Sequence, residues 1–289
     1  MADFAWGLIQ RGNQIVVMTS DAPYLGNGGS GPNGEAVKRH LLLKGSFENG
    51  ISFIKDPGAQ ESINLWNEKK LEVLLQNGSW DGVLIGNLDL LGPEIFSVLL
   101  NQGIPIIHHI GFMAAPYPLH NFPTSNQYRM VAASKAVKNS LIKEGFPINH
   151  EPVIYPGARV ELFGSDTNKR ELPPLLPLSG INDMSPGTRT NPLRVCFAGL
   201  LMGSKGAHTV IEALIGLHHE KIAVQGIFAG ASFQAGYREA LEVELKKAGL
   251  DDQIIFTGNL NREQLSRMLV LHRIGVFPSI YPEAFGIVG

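Results

Sequence analysis

Short apolar runs and longer amphipathic segments alternate along most of the chain. Runs of four to eight apolar residues are typical of buried strands, and apolar residues at helical spacing are typical of helices. The predicted strands are residues 14–19, 51–54, 82–85, 104–110, 128–133, 152–155, 193–198, 222–229, 253–256 and 274–277. The predicted helices are residues 2–11, 61–76, 92–102, 135–144, 205–217, 236–248 and 262–271. Strands that alternate with helices indicate parallel α/β layers.

One proline-rich segment interrupts this alternation. Residues 171–192 contain five prolines together with Gly, Ser and Thr, and they show no apolar periodicity. Such a segment predicts a linker or a mobile loop. We therefore expect two doubly wound α/β domains, residues 1–165 and 193–289, joined by a linker at residues 166–192. Ligands of such domains bind at the carboxyl edges of the sheets, here facing the cleft between domains.

Composition excludes several classes of function. The 289 residues carry 24 basic and 26 acidic side chains, so no nucleic-acid partner is indicated. The single cysteine, Cys196, permits no internal disulfide and fits a reducing compartment. No apolar run approaches the roughly 20 residues that cross a bilayer, and the first residues do not resemble a signal peptide. We expect a cytoplasmic protein, and contact with the inner face of a membrane stays open.

The segment that follows the last predicted strand has the most informative chemistry. In the sequence SIYPEAFGI at residues 279–287, Glu283 stands beside a Phe-Gly turn at which a helix is expected to begin. A helix N-terminus favours phosphate, and a carboxylate accepts hydrogen bonds from hydroxyl groups. The pattern therefore suits a sugar linked to a phosphate. The alternative is a surface glutamate at a helix start. Pro278-Ser279 and Phe285-Gly286 fix the backbone on both sides, which argues against that alternative.

A second candidate follows the first strand of the second domain. The sequence GLLMGSKG at residues 199–206 opens a helix, and Lys205 there can place its charge on a pyrophosphate. From these residues alone, an ordinary turn with a solvated lysine is an equally good interpretation. The segment is not a P-loop, because its spacing is not GxxxxGK.

A glycine-rich sequence, GNGGSG at residues 26–31, matches the pattern GxGxxG. The dinucleotide fingerprint needs its first glycine at the strand end and a helix that opens within the motif. Several residues separate this motif from the predicted strand, so a flexible surface loop is expected instead.

Two histidines, His108 and His109, end the predicted strand at residues 104–110. Alternation places their rings on opposite faces, so at most one faces the cleft. A histidine there can donate to a substrate oxygen or act as a base. A packed, hydrogen-bonded histidine is the alternative. No spacing of His and Cys suits a metal ion, so no metal is expected.

Residues 194–289 resemble the nucleotide-sugar domain of retaining GT-B glycosyltransferases of family four, the glycosyl transferases group 1 type. The matching pieces occur in the family's order and spacing: Gly199, Lys205-Gly206, Glu212-Ala213-Leu214, Ala229-Gly230, Phe256-Thr257-Gly258, Pro278-Ser279 and Glu283-Ala284-Phe285-Gly286. Residues 5–20, 133–135 and 153–158 are similar, more loosely, to the acceptor domain. The resemblance implies two Rossmann-like domains.

The resemblance also implies a reaction. A sugar would pass from a nucleoside diphosphate to the hydroxyl of a glycan, lipid-linked or small-molecule acceptor, with retention and without a metal or a cofactor. Lys205 would grip the pyrophosphate, and Glu283, as the first Glu of a Glu–seven residues–Glu motif, would bind sugar hydroxyls. The donor would lie near Gly199 and the backbone amides of Phe285, Gly286 and Ile287. His109 would replace a cleft histidine that the family has near Gly111.

The chain departs from the family pattern in ways that change these expectations. Leu200 stands where an arginine often shares the phosphates, the motif's second Glu would fall two residues beyond Gly289, and the family's first strand is absent before Met1. We therefore expect an internal portion of a longer protein, with both domains incomplete, a gap or exposed edges in the first sheet, and no transferase activity from this chain alone. A non-catalytic nucleotide-sugar-binding protein and another GT-B enzyme, such as a nucleotide-sugar epimerase, stay open as alternatives.

Overall fold

The structure is a computed structural model that describes residues 2–20, 29–31, 33–46, 51–157, 159, 187–189, 191–281 and 283–286. The chain divides into two units, Met1–Ala158 and Arg159–Gly289. Most of the proline-rich segment predicted as a linker lies outside the described residues, as does the first part of the GNGGSG motif.

The first unit contains the helices α1 (Ala2–Ile9), α2 (Pro57–Gln76), α3 (Phe96–Leu100) and α4 (Lys135–Lys143). Its strands are β1 (Val16–Ser20), β2 (Gly29–Ser30), β3 (Ala36–Leu41), β4 (Gly45–Ser46), β5 (Ser52–Phe53), β6 (Val83–Ile85), β7 (Ile106–Ile110) and β8 (Tyr128–Ala132). Short 3-10 turns occur at Pro93–Ile95 and Leu119–Asn121. The strand predicted at residues 152–155 is reduced to a single bridge between Val153 and Ala132.

The parallel strands of the first unit form separate groups. One group has the order β6-β7-β8, and the other places β3 between β1 and β2, with β1 parallel and β2 antiparallel to it. Across the described residues, no ladder joins the two groups. Strand β3 was not predicted, because its sequence AVKRHL exposes every second residue and carries two basic side chains.

The second unit contains β9 (Leu193–Ala198), α5 (Ala207–His219), β10 (Val224–Ala229), α6 (Tyr237–Ala248), β11 (Ile254–Gly258), α7 (Arg262–Leu271) and β12 (Ile274–Gly275). A 3-10 turn at Gly203–Lys205 precedes α5. The four strands are parallel and have the order β11-β10-β9-β12. The strand order therefore reverses at β9, as in doubly wound sheets.

Alternation along β9 explains why helices cover both faces of this sheet. Val195 and Phe197 pack into a cluster that includes Leu214 of α5 and Leu245 of α6. Cys196 and Ala198 belong to a second cluster, which includes Met268 of α7. Successive side chains of a strand point to opposite faces, and a strand buried on both faces reads as the continuous apolar run seen here. The predicted doubly wound α/β class is confirmed.

Helix α7 leads directly into β12 and so sets where the last described segment starts. The side chain of Asn261 accepts a hydrogen bond from the backbone of Gln264, and the side chain of Gln264 accepts one from the backbone of Asn261. This capping box satisfies two N–H groups that the helix itself leaves unpaired, and such a cap contributes about 1 kcal/mol. Asn261→Ala would therefore loosen the start of α7.

Within the ranges listed above, no helix combines the length and the apolar character that crossing a bilayer requires.

Candidate functional site

Three loops meet at the carboxyl edge of the second sheet. The loop after β9 joins the loop after β10 through a hydrogen bond from the Leu201 amide to the Ala231 carbonyl, at 2.8 Å. The segment after β12 joins the β9 loop through the amide of Ile280, which donates to the Ser204 carbonyl at 3.0 Å. This carboxyl edge is where parallel α/β sheets bind their ligands.

Two glycines allow these loops to approach closely. Gly230 has a φ of 150°, and a Cβ atom added to it would lie 1.8 Å from the carbonyl oxygen of Gly199. Gly206 has a φ of 74°, and an added Cβ would lie 2.2 Å from the carbonyl oxygen of Pro278. Since any side chain would force the backbones apart, both positions require glycine. The close contact at Gly206 brings the Lys205 turn against the segment that carries Glu283.

Lys205 and Glu283 meet in this contact. The Lys205 Nζ atom donates to Glu283 Oε1 at 2.5 Å, and the Ser279 hydroxyl donates to the same oxygen at 2.5 Å. The side chains of Lys205 and Glu283 are 31% and 36% exposed. The structure therefore brings together, at the surface, the two residues to which the sequence assigned the donor.

The ion pair between Lys205 and Glu283 is held only weakly. The hydrogen bond from Lys205, and after it the one from Ser279, lowers the pKa of the Glu283 carboxyl below its usual range. Glu283 is thus a carboxylate near neutral pH. Exposed ion pairs contribute about 0–1 kcal/mol, because water and salt screen them. An anionic ligand can therefore separate the two groups at little cost.

The N-terminus of α5 lies beside Lys205. Gly206 is the N-cap residue in the left-handed conformation, and within the described part of the chain no side chain caps the helix there. The amide of His208 donates to Tyr237 Oη at 3.1 Å, and the same hydroxyl lies 2.8 Å from His208 Nδ1. Burial raises the pKa of the Tyr237 hydroxyl. The positive end of α5 thus stands next to the Lys205 ammonium, an arrangement that favours an anion.

The remaining predicted donor residues lie around this edge. Gly199 directly follows β9, and its amide donates to the Ala229 carbonyl at 2.9 Å. Phe285 is 39% exposed, and Gly286 has a φ of 72°. Ile287 and the helix predicted to begin there lie outside the described residues. Leu200, at the position of the family's arginine, is 39% exposed.

Three further residues at this edge were not assigned a role from the sequence. Ser279 was noted as part of a motif, but its contact with Glu283 depends on the backbone after β12. Tyr237 and His208 lie on different helices, 29 residues apart in sequence. No local pattern links such a pair, so only the folded chain reveals it.

The two histidines of β7 have different surroundings. The His109 ring packs against Phe4 of α1, with ring centroids 4.9 Å apart, and its Nε2 donates to the Ile154 carbonyl at 2.7 Å. His108 packs against Phe96 of α3. The rings therefore point to opposite faces, as strand alternation predicts.

Both rings are buried within the first unit. His109, which we expected to face the cleft, is only 8% exposed, and its Nε2–H already donates a hydrogen bond to the Ile154 carbonyl. His108 is fully buried, donates from Nε2 to the Gly86 carbonyl and accepts at Nδ1 from Tyr128 Oη. Burial lowers the pKa of His108 to about 3. The catalytic role expected for His109 stays a prediction.

Over the residues that the structure describes, no group of three or more His, Cys, Asp or Glu side chains is placed to hold a metal ion.

Comparisons with known proteins agree with the geometry. Residues 182–289 match the family described as Glycosyl transferases group 1. An uncharacterized glycosyltransferase of Methanocaldococcus jannaschii is 30% identical over 143 residues, which are 47% of this chain and 30% of that protein. This chain thus spans less than a third of that relative's length.

Two solved structures show the fold. A glycosyltransferase of Rickettsia africae has a TM-score of 0.67 at 17% identity, over 98% of this chain and 69% of that one. The Anabaena protein HepE, in complex with UDP and glucose, has a TM-score of 0.57 at 16% identity, over 89% of this chain and 64% of that one. Together with the two α/β units, these matches show that the chain has the GT-B fold and that its residues 182–289 match the Glycosyl transferases group 1 family.

Proposed function

We propose that this protein transfers a sugar from a nucleoside-diphosphate sugar to an acceptor hydroxyl, and that its second unit binds the donor. The observation that carries the proposal is the meeting of Lys205 and Glu283 at the carboxyl edge of the second sheet, next to the N-terminus of α5. A cationic group and a helix N-terminus suit a pyrophosphate, and a carboxylate beside them suits sugar hydroxyls. The Anabaena protein that binds UDP and glucose supports the same class of donor.

In this proposal, Lys205 acts on the leaving group. When the bond between the anomeric carbon and the phosphate oxygen breaks, negative charge grows on the departing diphosphate and positive charge on the sugar. The Lys205 ammonium and the positive end of the α5 dipole stabilise the diphosphate, and they do so most strongly where bound substrates exclude water. Because Leu200 replaces the arginine of the resemblance, Lys205 is the cation that the described site offers to the phosphates.

Glu283 acts on the sugar. Its carboxylate accepts hydrogen bonds from hydroxyl groups and faces the positive charge that develops in the transition state. Gly199 and the amides of Phe285, Gly286 and Ile287 complete the donor site in this proposal. The expected transfer retains the configuration at the anomeric carbon and uses no metal and no cofactor. The acceptor is a glycan, a lipid-linked molecule or a small molecule.

Two other functions share the same donor site. The replacement of the phosphate-binding arginine by Leu200 and the burial of His109 favour a non-catalytic nucleotide-sugar-binding protein as the second candidate. A nucleotide-sugar epimerase with the GT-B fold is the third. All three bind the donor, and they differ in what they release.

The test is a donor screen on this chain, followed by an analysis of products on the full-length protein. Thermal shift with a panel of nucleotide sugars selects the donor, and mass spectrometry then follows the donor with and without acceptors. Acceptor-dependent release of nucleoside diphosphate supports the transferase. Binding without turnover supports the binding protein, and conversion of the donor into a nucleotide sugar of the same mass that separates from it by chromatography supports the epimerase. The variant Lys205→Ala serves as the control, because it should reduce both the thermal shift and the turnover.

A further inference from the structure

The Ser279 hydroxyl is a third group at the Lys205–Glu283 contact, and the proposed reaction gives it no task. Its Oγ donates to Glu283 Oε1, the same oxygen that receives the Lys205 ammonium. Among the described residues, both hydrogen bonds to Glu283 end on Oε1, which leaves Oε2 available to a ligand.

The two donors would behave differently once a diphosphate is bound. An anionic diphosphate competes with Glu283 for the Lys205 ammonium, because the lysine side chain is long, flexible and partly exposed. Ser279 is uncharged and lies four residues before Glu283 in the same segment. A donor site that draws Lys205 to the phosphates would therefore remove one hydrogen bond from Glu283 and keep the other.

The backbone on both sides of Ser279 is anchored. Before it, the carbonyl of Pro278 lies so close to Gly206 that no Cβ atom fits between them. After it, the amide of Ile280 donates to the Ser204 carbonyl at 3.0 Å. Since both contacts are to the loop after β9, the hydroxyl of Ser279 has a defined position relative to the Lys205 turn.

We propose that Ser279 is a positioning residue: it holds the Glu283 carboxylate in place for the sugar hydroxyls while Lys205 binds the diphosphate. The inference rests on the proposed function and adds a task to it. Ser279 touches neither the phosphates nor the reacting carbon in this scheme, so it acts through Glu283 alone. Its loss should reduce recognition of the sugar and leave recognition of the nucleotide intact.

The test compares UDP-glucose with UDP by calorimetry in Ser279→Ala and Ser279→Thr. A hydrogen bond to a charged group that is partly exposed is worth about tenfold in affinity. We expect Ser279→Ala to weaken UDP-glucose by about this factor, to change UDP by less than about twofold, and to regain most of the loss in Ser279→Thr, which restores a hydroxyl. Ser62→Ala is the matched control, because Ser62 is an exposed serine of α2 whose hydroxyl donates to a carbonyl.

A titration without ligand tests the contact separately. The hydrogen bond from Ser279 favours the charged form of Glu283, so Ser279→Ala should raise the pKa of that carboxyl, as followed by carbon-detected NMR. An unchanged pKa, or an equal loss of UDP and UDP-glucose affinity, overturns the positioning role while the proposed function stands. A wild-type chain that binds no nucleotide or nucleotide sugar overturns the proposed function, and this inference with it.

Discussion

Polar side chains lie at the carboxyl edge of β7, in the first unit, and of β9, in the second unit, but these side chains differ in burial. At the end of β7, His108 and His109 are buried, and each ring nitrogen with a known partner is bonded inside the first unit. Beyond the end of β9, Lys205 meets Glu283 of the β12 segment, and both are about one-third exposed.

The difference shows that a polar side chain at the carboxyl edge of a sheet is not necessarily available to a ligand. A buried polar group has its hydrogen bonds satisfied by the protein, and removing a partner leaves the other group unpaired at a high cost. An exposed ion pair costs little to open, so its members can turn to a ligand. We therefore expect changes at β7 to act on stability and changes at the β9 edge to act on binding.

The largest effect should follow from His108→Ala. The change removes the hydrogen-bond partner of Tyr128 and Gly86 and leaves a cavity in a cluster of aromatic rings. We expect the free energy of unfolding to fall by about 3 kcal/mol in denaturant titrations, with UDP binding by the folded protein unchanged. The exposed His150→Ala is the control, and equal effects of the two variants would contradict the contrast.

Lys205→Ala should give the next largest effect, on binding. Loss of a charge-assisted hydrogen bond should weaken nucleoside diphosphate binding by about 1.5–3 kcal/mol in calorimetry, and the unfolding free energy should change little. Lys246→Ala, on the exposed side of α6, is the matched control. An affinity equal to that of the wild-type protein would remove Lys205 from the donor site.

Acid should destabilise the first unit, because the buried His108 ring is neutral in the folded protein. Its pKa is about 3 in the folded protein and 6.5 without the fold, so the unfolded chain takes up the proton first. The contribution of the neutral His108 ring to the free energy of unfolding is fully present above pH 6.5 and is lost as the pH falls towards 3. Between pH 6.5 and 5 the loss should be about 1.5 kcal/mol. In denaturant titrations at these two pH values, His108→Gln should not show this loss of unfolding free energy. An equal loss in the wild-type protein and the variant would contradict the role of His108.

The smallest effect should follow from Glu283→Gln, which should change the affinity for UDP and the affinity for UDP-glucose differently. Freed from its carboxylate, Lys205 should bind UDP up to about fivefold more tightly, since an exposed pair holds at most about 1 kcal/mol. The same variant should lose affinity for UDP-glucose relative to UDP, because the amide is a weaker acceptor for sugar hydroxyls. Calorimetry with the two ligands measures both changes, and equal shifts would assign Glu283 to the nucleotide or to the fold.

Local signals in the sequence were sufficient for much of the second unit. Helix α7 occupies Arg262–Leu271 as predicted, because its start is determined by a capping box within four residues. The continuous apolar run of β9 indicated a strand buried on both faces. Lys205 and Glu283 could be placed at one sheet edge because parallel strands all end on the same side.

Other features depend on contacts that no local pattern contains. Strand β3 has polar residues at every second position and is held by pairing with β1, about 20 residues earlier in the sequence. The Ile154 carbonyl that occupies His109 comes from 45 residues away, so alternation predicted the face of the ring and not its burial. Ser279 was visible as part of a motif, but its bond to Glu283 depends on the turn between them.

The order of strands in the second sheet also bears on how the protein is made. β9 is the first strand of its sheet to leave the ribosome, yet one of its two neighbours, β12, pairs with it only through Val195–Ile274 and Cys196–Gly275. At about 5–20 residues per second, translation leaves that side of β9 without its partner for several seconds. The unpaired backbone edge of this nascent central strand is then open to mispairing.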